Sequence, residues 1–385
     1  MQKKIIALAV AGLVSGGAFA QSNVTISGAM DLGMESVSAS GATAGVNATS
    51  RTRVTNNTSW IRFSGAEDLG GGLKAVFQIE QDVNGDTQSA TGIASRNTYV
   101  GLTGGFGTAI IGRHDVHYTS HLGVVDWGSA GAMPHAANTL NIVGQVNGVG
   151  VIGGRLDNLV AYISPSFGGL TAQLGWVAAG TGATELTTPN LPAKETGWNL
   201  FLKYSNGPIG AFWSHTNVNH LGAATAGAAT AGVVAGVLAV VPGAAATSGL
   251  DVVADRLGAA YTFPMGVKVG LIYDNTKIDG AAGLVAKRTA WGLPISYKMG
   301  ANNFYFSYAK SGDVSNAAAT GANTGANSYA LGYAHDLSKR TQVGVSYSKI
   351  RNDSAATLDF WTRGVGNVRA GADPTSFYAG IYHSF

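Results

Sequence analysis

The chain has 385 residues, of which 12% are charged, 56 are glycine and none is cysteine, and its formal net charge is +3. Charged residues make up about a quarter of an ordinary soluble protein, so this chain has little charged surface to present to water. The near-neutral balance excludes the basic footprint of a nucleic-acid-binding protein, and the absence of cysteine excludes a fold held by disulfides.

The N-terminal segment has the three parts of a secretory signal peptide. Lys3 and Lys4 are followed by the apolar residues 5–14, and Ala18-Phe19-Ala20 matches an A-x-A cleavage pattern. A membrane-anchor helix is the alternative, but this apolar run is too short to span a bilayer. We therefore predict that residues 1–20 are removed and that residues 21–385 form one domain.

The stretch LKAVFQIEQD, residues 73–82, predicts a β-strand with one apolar and one polar face, because alternate side chains of a strand point to opposite sides. The apolar set is Leu73, Ala75, Phe77 and Ile79, and the polar set includes Lys74, Gln78, Glu80 and Asp82. In a soluble sandwich the apolar face would point inward. In a membrane barrel it faces lipid, and the polar face lines water.

The alternation recurs along the chain, and aromatic residues favour the ends of the apolar sets, as the interfacial girdles of a membrane barrel require. Seven short connections rich in Gly, Pro, Asn and Asp alternate with eight longer ones. The longer connections cover roughly 37–56, 83–93, 115–156, 180–195, 218–251, 277–285, 311–325 and 351–375. Fifteen connections join sixteen strands, so the sequence predicts an all-β, 16-stranded antiparallel transmembrane barrel.

The two ends of the predicted domain can close this barrel. The last residues, YAGIYHSF, form a strand that ends on an aromatic residue, and NVTISGAMDLG forms the first strand. Pairing of these strands removes both sheet edges, which a bilayer requires. With the barrel closed, Leu73, Ala75, Phe77 and Ile79 are predicted to face lipid.

Several segments together resemble the trimeric general porins of beta-proteobacterial outer membranes. The matching segments are SNVTISGAMDLGM, WIRFSGAEDLGGGLKAVFQIE, RNTYVGLTGGFGTAIIGR, RLDNLVAYISPSFGGLTAQLGW, LGYAHDLSKRTQVGVSYS and AGIYHSF. The resemblance implies a homotrimer in the outer membrane, in contact with its lipid, and a long third loop folded into each lumen. It also implies passive diffusion of ions and small hydrophilic solutes, with some anion preference, and no cofactor.

The resemblance also implies a pore constriction, in which wall arginines face acids on or near the third loop. Arg155 and Arg96 match two such arginines, Asp126 matches an acidic loop position, and Glu80 would be a lumenal acid on the third strand. Arg96 would share a face with apolar residues unless a bulge intervenes. The alternative for Arg62 and Arg96 is a place on a wide, solvated wall.

A third wall arginine usually lies where this chain has Trp60, and Arg62, two residues on, is the nearest substitute. This departure changes the charge pattern on which the strength of any anion preference would depend. Trp60, Lys74 and Arg113 are predicted on the lumen wall, although Arg113 could equally brace the root of the loop.

The sequence also offers a candidate metal site and three alternative functions. His114, His117 and His121 could bind Zn²⁺ or Cu²⁺ if they lay on a helix, but a solvated loop fits the segment better.

The hydrolase motifs H-E-x-x-H and G-x-S-x-G are absent, so no enzyme is predicted. The alternatives are an adhesin or receptor acting through its external loops, a soluble periplasmic β-protein and a barrel enzyme. The uncharged, Ala- and Gly-rich residues 221–250 fit a low-complexity loop better than a spanning helix.

Overall fold

The computed structural model describes fourteen stretches of the chain. They are residues 24–43, 45–87, 93–115, 123–125, 145–146, 149–150, 155–177, 196–221, 230–234, 237–241, 250–279, 285–316, 322–360 and 364–385. The predicted signal peptide lies outside these residues. Within them, no helix is both long and apolar enough to cross a bilayer.

The described residues form one large antiparallel sheet of sixteen strands, two of which, β2 and β13, run as two segments each. The first eight strands are β1 (Thr25–Ser40), β2 (Ala48–Asn56 and Trp60–Gly70), β3 (Leu73–Asp82), β4 (Thr98–Gly104), β5 (Gly107–Asp115), β6 (Arg155–Ile163), β7 (Leu170–Val177) and β8 (Thr196–Asn206). The others are β9 (Ile209–Leu221), β10 (Leu250–Thr262), β11 (Val267–Asp279), β12 (Val285–Met299), β13 (Asn302–Ser311 and Ser315–Asn316), β14 (Ala326–Asp336), β15 (Thr341–Asn352) and β16 (Asp373–Ser384).

The sheet closes on itself between its first and last strands. β1 pairs with β16 from Ala29 opposite Ser384 to Ser40 opposite Asp373, and β1 pairs on its other side with both segments of β2. The prediction of a closed, 16-stranded antiparallel barrel is therefore confirmed. Closure pairs every strand on both sides, which satisfies the backbone polar groups without water.

The apolar faces of the strands point outward, as the alternation predicts for a membrane barrel. On β3 the side chain of Ile79 is 37% exposed whereas that of Glu80 is 1% exposed, and on β14 Leu331 is 55% exposed whereas Ala330 is fully buried. An outward band of exposed apolar side chains is unfavourable in water but matches lipid. Thus Ile79 lies on the outer face and Glu80 on the inner face of β3, as the alternation predicts.

Aromatic residues form two outward girdles at the ends of this apolar band. The girdle towards the longer connections includes Trp176, Trp198, Trp213, Tyr273, Trp291, Tyr308, Tyr329 and Tyr347. The girdle towards the short turns includes Tyr162, Tyr204, Tyr261, Phe263, Tyr297, Phe304, Tyr333 and Phe385. Because outer-membrane barrels have short periplasmic turns and longer extracellular loops, the first girdle marks the external interface.

Two of the predicted loop boundaries were wrong. The first long connection, predicted over 37–56, is only 41–47, because β1 continues to Ser40 and β2 begins at Ala48. The polar segment Ala48–Asn56 remains a strand because its backbone pairs with β1 from Asn56 to Ala48. The second, predicted to end near residue 93, continues until β4 begins at Thr98.

The two-residue turn that joins β2 to β3 depends on glycine. Gly70, Gly71 and Gly72 have φ angles of 87°, 60° and 80°, a region that residues with a β-carbon rarely adopt. Two short hairpins lie outside the barrel sheet: Gln145–Val146 with Val149–Gly150, and Thr230–Val234 with Val237–Val241. The second belongs to the Ala- and Gly-rich segment.

Candidate functional site

A buried carboxylate on the inner wall holds two arginines. Glu80 of β3 lies directly opposite Arg62 of β2, and the Arg62 Nε is 2.7 Å from Glu80 Oε2. The Arg96 Nε is 2.5 Å from the other oxygen, Oε1. The Arg62 guanidinium also stacks on the Trp60 ring, 4.6 Å from its centroid. Trp60, which lies where the similar porins have an arginine, therefore orients the Arg62 side chain.

Arg96 reaches the lumen without a bulge in β4. It lies two residues before Thr98, the first residue of that strand, so the alternation of β4 does not constrain it. Its backbone N–H donates to the Glu80 carbonyl at 3.0 Å, and its Nη1 is 2.9 Å from Asp82 Oδ1. Asp82 was not predicted as a site residue, although alternation along β3 places it on the same face as Glu80.

Arg155 belongs to a second group at the root of the third loop. Its Nε is 2.9 Å from Asn97 Oδ1 and 3.1 Å from Asp115 Oδ1. The Asn97 amide in turn donates to Asp115 Oδ2 at 2.7 Å. Asp115 ends β5 and pairs with Arg155, the first residue of β6. The structure therefore joins two strand ends that are separated by 39 residues of loop.

Arg113 takes the bracing position that was left as an alternative. Its Nη1 forms an ion pair with Asp157 of β6, and its Nε donates to the Ser95 carbonyl at 3.3 Å. These contacts tie β5, β6 and the segment before β4 together beside the loop root. Neither Asp157 nor Asn97 was anticipated, because their partners are distant in the sequence.

The root of the third loop bends towards the barrel axis. The Gln173 amide donates to the Asp115 carbonyl at 3.3 Å. In the sheet, however, Gln173 lies level with Ile163 and hence with Thr108, seven residues from Asp115 along β5. Because adjacent strand residues are about 3.3 Å apart, this contact requires the paired ends of β5 and β6, at Asp115 and Arg155, to bend over the inner face.

Two further residues of this loop lie against the inner wall. The backbone oxygen of Val124 is 2.8 Å from where a β-carbon on Gly210 would be, and that of Val125 is 2.8 Å from the same position at Gly270. The Val125 side chain is 3.1 Å from the β-carbon position of Gly258. These glycines alternate with lipid-facing residues of β9, β10 and β11, so they line the lumen. Residues 116–122 and 126–144 of the loop, including Asp126, lie outside the described residues.

The eighth loop, residues 353–372, also folds inward, which the sequence analysis did not predict. Leu358, Phe360 and Val365 are buried against Val37 and Ile350 on the lumenal face of β1 and β15. The arginines of β2 hold the loop: Arg53 Nη1 donates to the Gly364 carbonyl at 3.0 Å, and Arg51 donates to the Val365 carbonyl. Arg53 is fixed by Glu35, 2.8 Å away.

Lys74 and the histidines of the predicted metal site are the remaining predicted positions. Lys74 is exposed near the β2–β3 turn, on the same face of β3 as Glu80. His114 contacts the Asp115 carbonyl at 3.0 Å and the Tyr99 ring, with 5.6 Å between centroids. His117 and His121 lie outside the described residues, and among the residues that are described no three potential metal ligands cluster.

Comparison with known proteins identifies the family. A family model described as Gram-negative porin matches residues 7–355. The chain belongs to the Gram-negative porin family. This porin is 32% identical to outer membrane porin protein 32 of Delftia acidovorans, over 100% of both chains. It is 27% identical to an outer membrane porin protein of Bordetella pertussis, over 91% of this chain and 94% of that one.

Solved structures agree with this assignment. The barrel superposes on an anion-selective porin from Comamonas acidovorans with a TM-score of 0.67 and 27% identity, covering 95% of this chain and 100% of that one. OmpT of Vibrio cholerae, in a trimer form, shares the fold at 14% identity, with a TM-score of 0.64 over 94% and 99% of the two chains. This porin is thus an outer-membrane channel protein and not an enzyme.

Proposed function

We propose that this porin passes ions and small hydrophilic solutes by diffusion and favours anions modestly. The observation that carries the proposal is the pair of guanidinium groups, Arg62 and Arg96, that share the carboxylate of Glu80. The arginine side chains are 35% and 19% exposed, whereas that of Glu80 is 1% exposed. The two guanidinium groups therefore face the lumen while the Glu80 carboxylate is buried behind them, which favours the passage of anions.

The preference is modest because the same wall also carries acids. The arginines at positions 62, 96, 113 and 155 have ion-pair partners at positions 80, 82, 115 and 157. Four cations face four carboxylates, and Asp82 and Asp115 are more exposed (42% and 31%) than Arg96 and Arg155 (19% and 17%), so only the group around Glu80 favours anions. We further propose that Arg155 and Asp126 belong to this constriction. The anion-selective Comamonas porin, a full-length structural relative, supports the sign.

Reversal potential in a planar bilayer across a KCl gradient tests this proposal. We expect the wild type to show a potential of the anion-selective sign. Arg62→Gln and Arg155→Gln should each shift it towards the cation side. Arg340→Gln, which removes the same charge from a turn at the periplasmic end, should leave it unchanged. A cation-side potential in the wild type, or no shift in either wall variant, would contradict the arginine assignment.

We also propose that the mature protein begins after residue 20 and assembles as a homotrimer. The trimer form of OmpT, which shares this fold, supports the assembly. Conductance steps grouped in threes would agree with it, and solitary steps of one size would not. In the adhesin alternative the long loops would project outward. The described parts of the third and eighth loops instead lie against the inner wall, which supports the channel.

A further inference from the structure

The inner wall around Glu80 presents exposed charges of both signs. The Arg62 side chain is 35% exposed and that of Asp82 is 42% exposed, whereas Glu80, which Arg62 contacts, is buried. Asp115, at the root of the third loop, is 31% exposed. A solute that passes this wall therefore meets one well-exposed arginine and two exposed carboxylates.

The two exposed acids lie nearer the external end of the barrel than Arg62 does. Asp82 is opposite Trp60 of β2, and Arg62 follows two residues later, towards the periplasmic turn. Diagonal neighbours of this kind on adjacent strands have α-carbons about 7–8 Å apart. Asp115 is the last residue of β5 and begins an external loop. A solute that enters from outside thus meets the carboxylates first and the Arg62 guanidinium next.

The other two arginines of this wall do not reverse that order. The Arg96 Nη1 is 2.9 Å from Asp82 Oδ1, and the Arg155 Nε is 3.1 Å from Asp115 Oδ1. Each arginine is less exposed than the acid it contacts, so it fixes the carboxylate without covering it. The exposed charge is therefore mainly negative at the depth of Asp82 and Asp115 and positive at the depth of Arg62.

We propose that this axial pair of charges favours zwitterionic solutes whose ammonium and carboxylate groups are several bonds apart, such as ω-amino acids and short peptides. The inference rests on the proposed function, because it assigns a class of solute to the same constriction. The ammonium group passes Asp82 and Asp115 while the carboxylate reaches Arg62. An α-amino acid, whose two charged groups share one carbon atom, cannot reach both ends at once. Exposure to water keeps these contacts weak, so the solute is released and not trapped.

Swelling of proteoliposomes in an iso-osmotic solute tests the proposal, with three isomers as probes. γ-Aminobutyrate carries separated charges, α-aminobutyrate carries adjacent charges and γ-hydroxybutyramide is neutral. We expect the wild type to admit γ-aminobutyrate about 2- to 5-fold faster than the neutral amide, the range that exposed ion pairs provide. α-Aminobutyrate should permeate as the amide does. Asp82→Asn combined with Asp115→Asn should bring the ratio of γ-aminobutyrate to amide rates close to one.

Matched variants separate loss of charge from misfolding. Asp82→Glu with Asp115→Glu, which keeps both charges, should retain the preference for γ-aminobutyrate. Asp68→Asn, which removes one carboxylate beside the β2–β3 turn, should retain it as well. The swelling rate with the neutral amide reports the number of open channels in the same vesicles, so each variant is compared as a ratio of rates.

A ratio of one in the wild type, or an unchanged ratio in the Asp82→Asn, Asp115→Asn variant, would overturn the proposal. The reversal potential in KCl distinguishes this failure from a failure of the anion preference. A ratio of one with an anion-side potential contradicts only the zwitterion preference. A cation-side potential with the γ-aminobutyrate preference retained contradicts only the anion preference.

Discussion

Val125 of the third loop packs against Gly270 of β11 so closely that no β-carbon fits between them. Its backbone oxygen is 2.8 Å from the position that a Gly270 β-carbon would occupy, and its side chain is closer still. On β9 the Val124 backbone oxygen is 2.8 Å from the same position at Gly210, and on β10 the Val125 side chain is 3.1 Å from that position at Gly258. A patch of lumenal glycines thus seats the loop, since only glycine allows its backbone to approach the wall so closely.

Gly270→Ala should displace the third loop from this seat. The added methyl group meets a backbone oxygen that cannot rotate away, so we expect a loss of about 1–3 kcal/mol of stability and an altered single-channel conductance. The matched control is Gly105→Ala in a periplasmic turn, where nothing lies within 4 Å of the new β-carbon. Wild-type conductance in the Gly270 variant would show that the Val125 contact does not position the loop.

Glu80→Gln should increase anion preference and lower stability together. The substitution removes a negative charge from the lumen wall and leaves Arg62 and Arg96 with one neutral amide oxygen in place of their shared carboxylate. We expect a stability loss of about 1–3 kcal/mol, because a charged hydrogen bond is lost at a buried position. Reversal potential and thermal unfolding check the two effects. Glu67→Gln, at the exposed end of β2, should change neither, and a decrease in anion preference in the Glu80 variant would contradict the model.

Phe360→Ala should release the eighth loop from the inner wall. Phe360 is buried in the cluster with Val37 and Ile350, so its truncation should cost about 3–5 kcal/mol, mostly as local loosening of the loop. Trypsin should then cleave after the exposed Arg369 faster than in the wild type. Phe377→Ala, on the lipid face of β16, removes the same ring and should leave the cleavage rate unchanged. Equal cleavage rates in all three proteins would refute the anchoring role.

Leu331→Arg tests the orientation of the strands. The side chain is exposed on the barrel, so in a water-soluble protein a charge there would be tolerated. On the lipid face it should cost up to about 2–4 kcal/mol, depending on its depth in the bilayer. Folding yield in phosphatidylcholine vesicles measures this cost. Ser338→Arg in the β14–β15 turn should fold as the wild type does, and full folding of the Leu331 variant would place that face away from lipid.

Much of the barrel could be predicted because its evidence is local. The two-residue period along LKAVFQIEQD assigns Ile79 and Glu80 to opposite faces whatever surrounds the strand. Turn residues locate the short connections, and their regular alternation with long loops predicts the number of strands. Boundaries were less predictable, since the polar segment Ala48–Asn56 has no lipid-facing pattern and is a strand only because β1 pairs with it.

Local sequence patterns do not predict the contacts between side chains on the pore wall. The arginines at positions 62, 96 and 155 and the acid at position 80 could be proposed as lumenal from resemblance and alternation, but not their pairing, and not the acids at positions 82 and 115. Asp115 pairs with Arg155 across the whole third loop, and Arg53 reaches the Gly364 carbonyl from 311 residues away. No sequence period connects such positions.

Composition, alternation and turn chemistry alone therefore determine that this chain is a lipid-facing barrel of sixteen strands that closes end to end. These properties follow because each strand faces lipid on one side and water on the other. The polarity of each residue therefore indicates by itself which face it occupies. Which carboxylate meets which arginine, and where the third and eighth loops rest, was decided only by the closed barrel. Closure brings distant segments to one inner surface, where distances between side chains, and not their spacing along the chain, set the interactions.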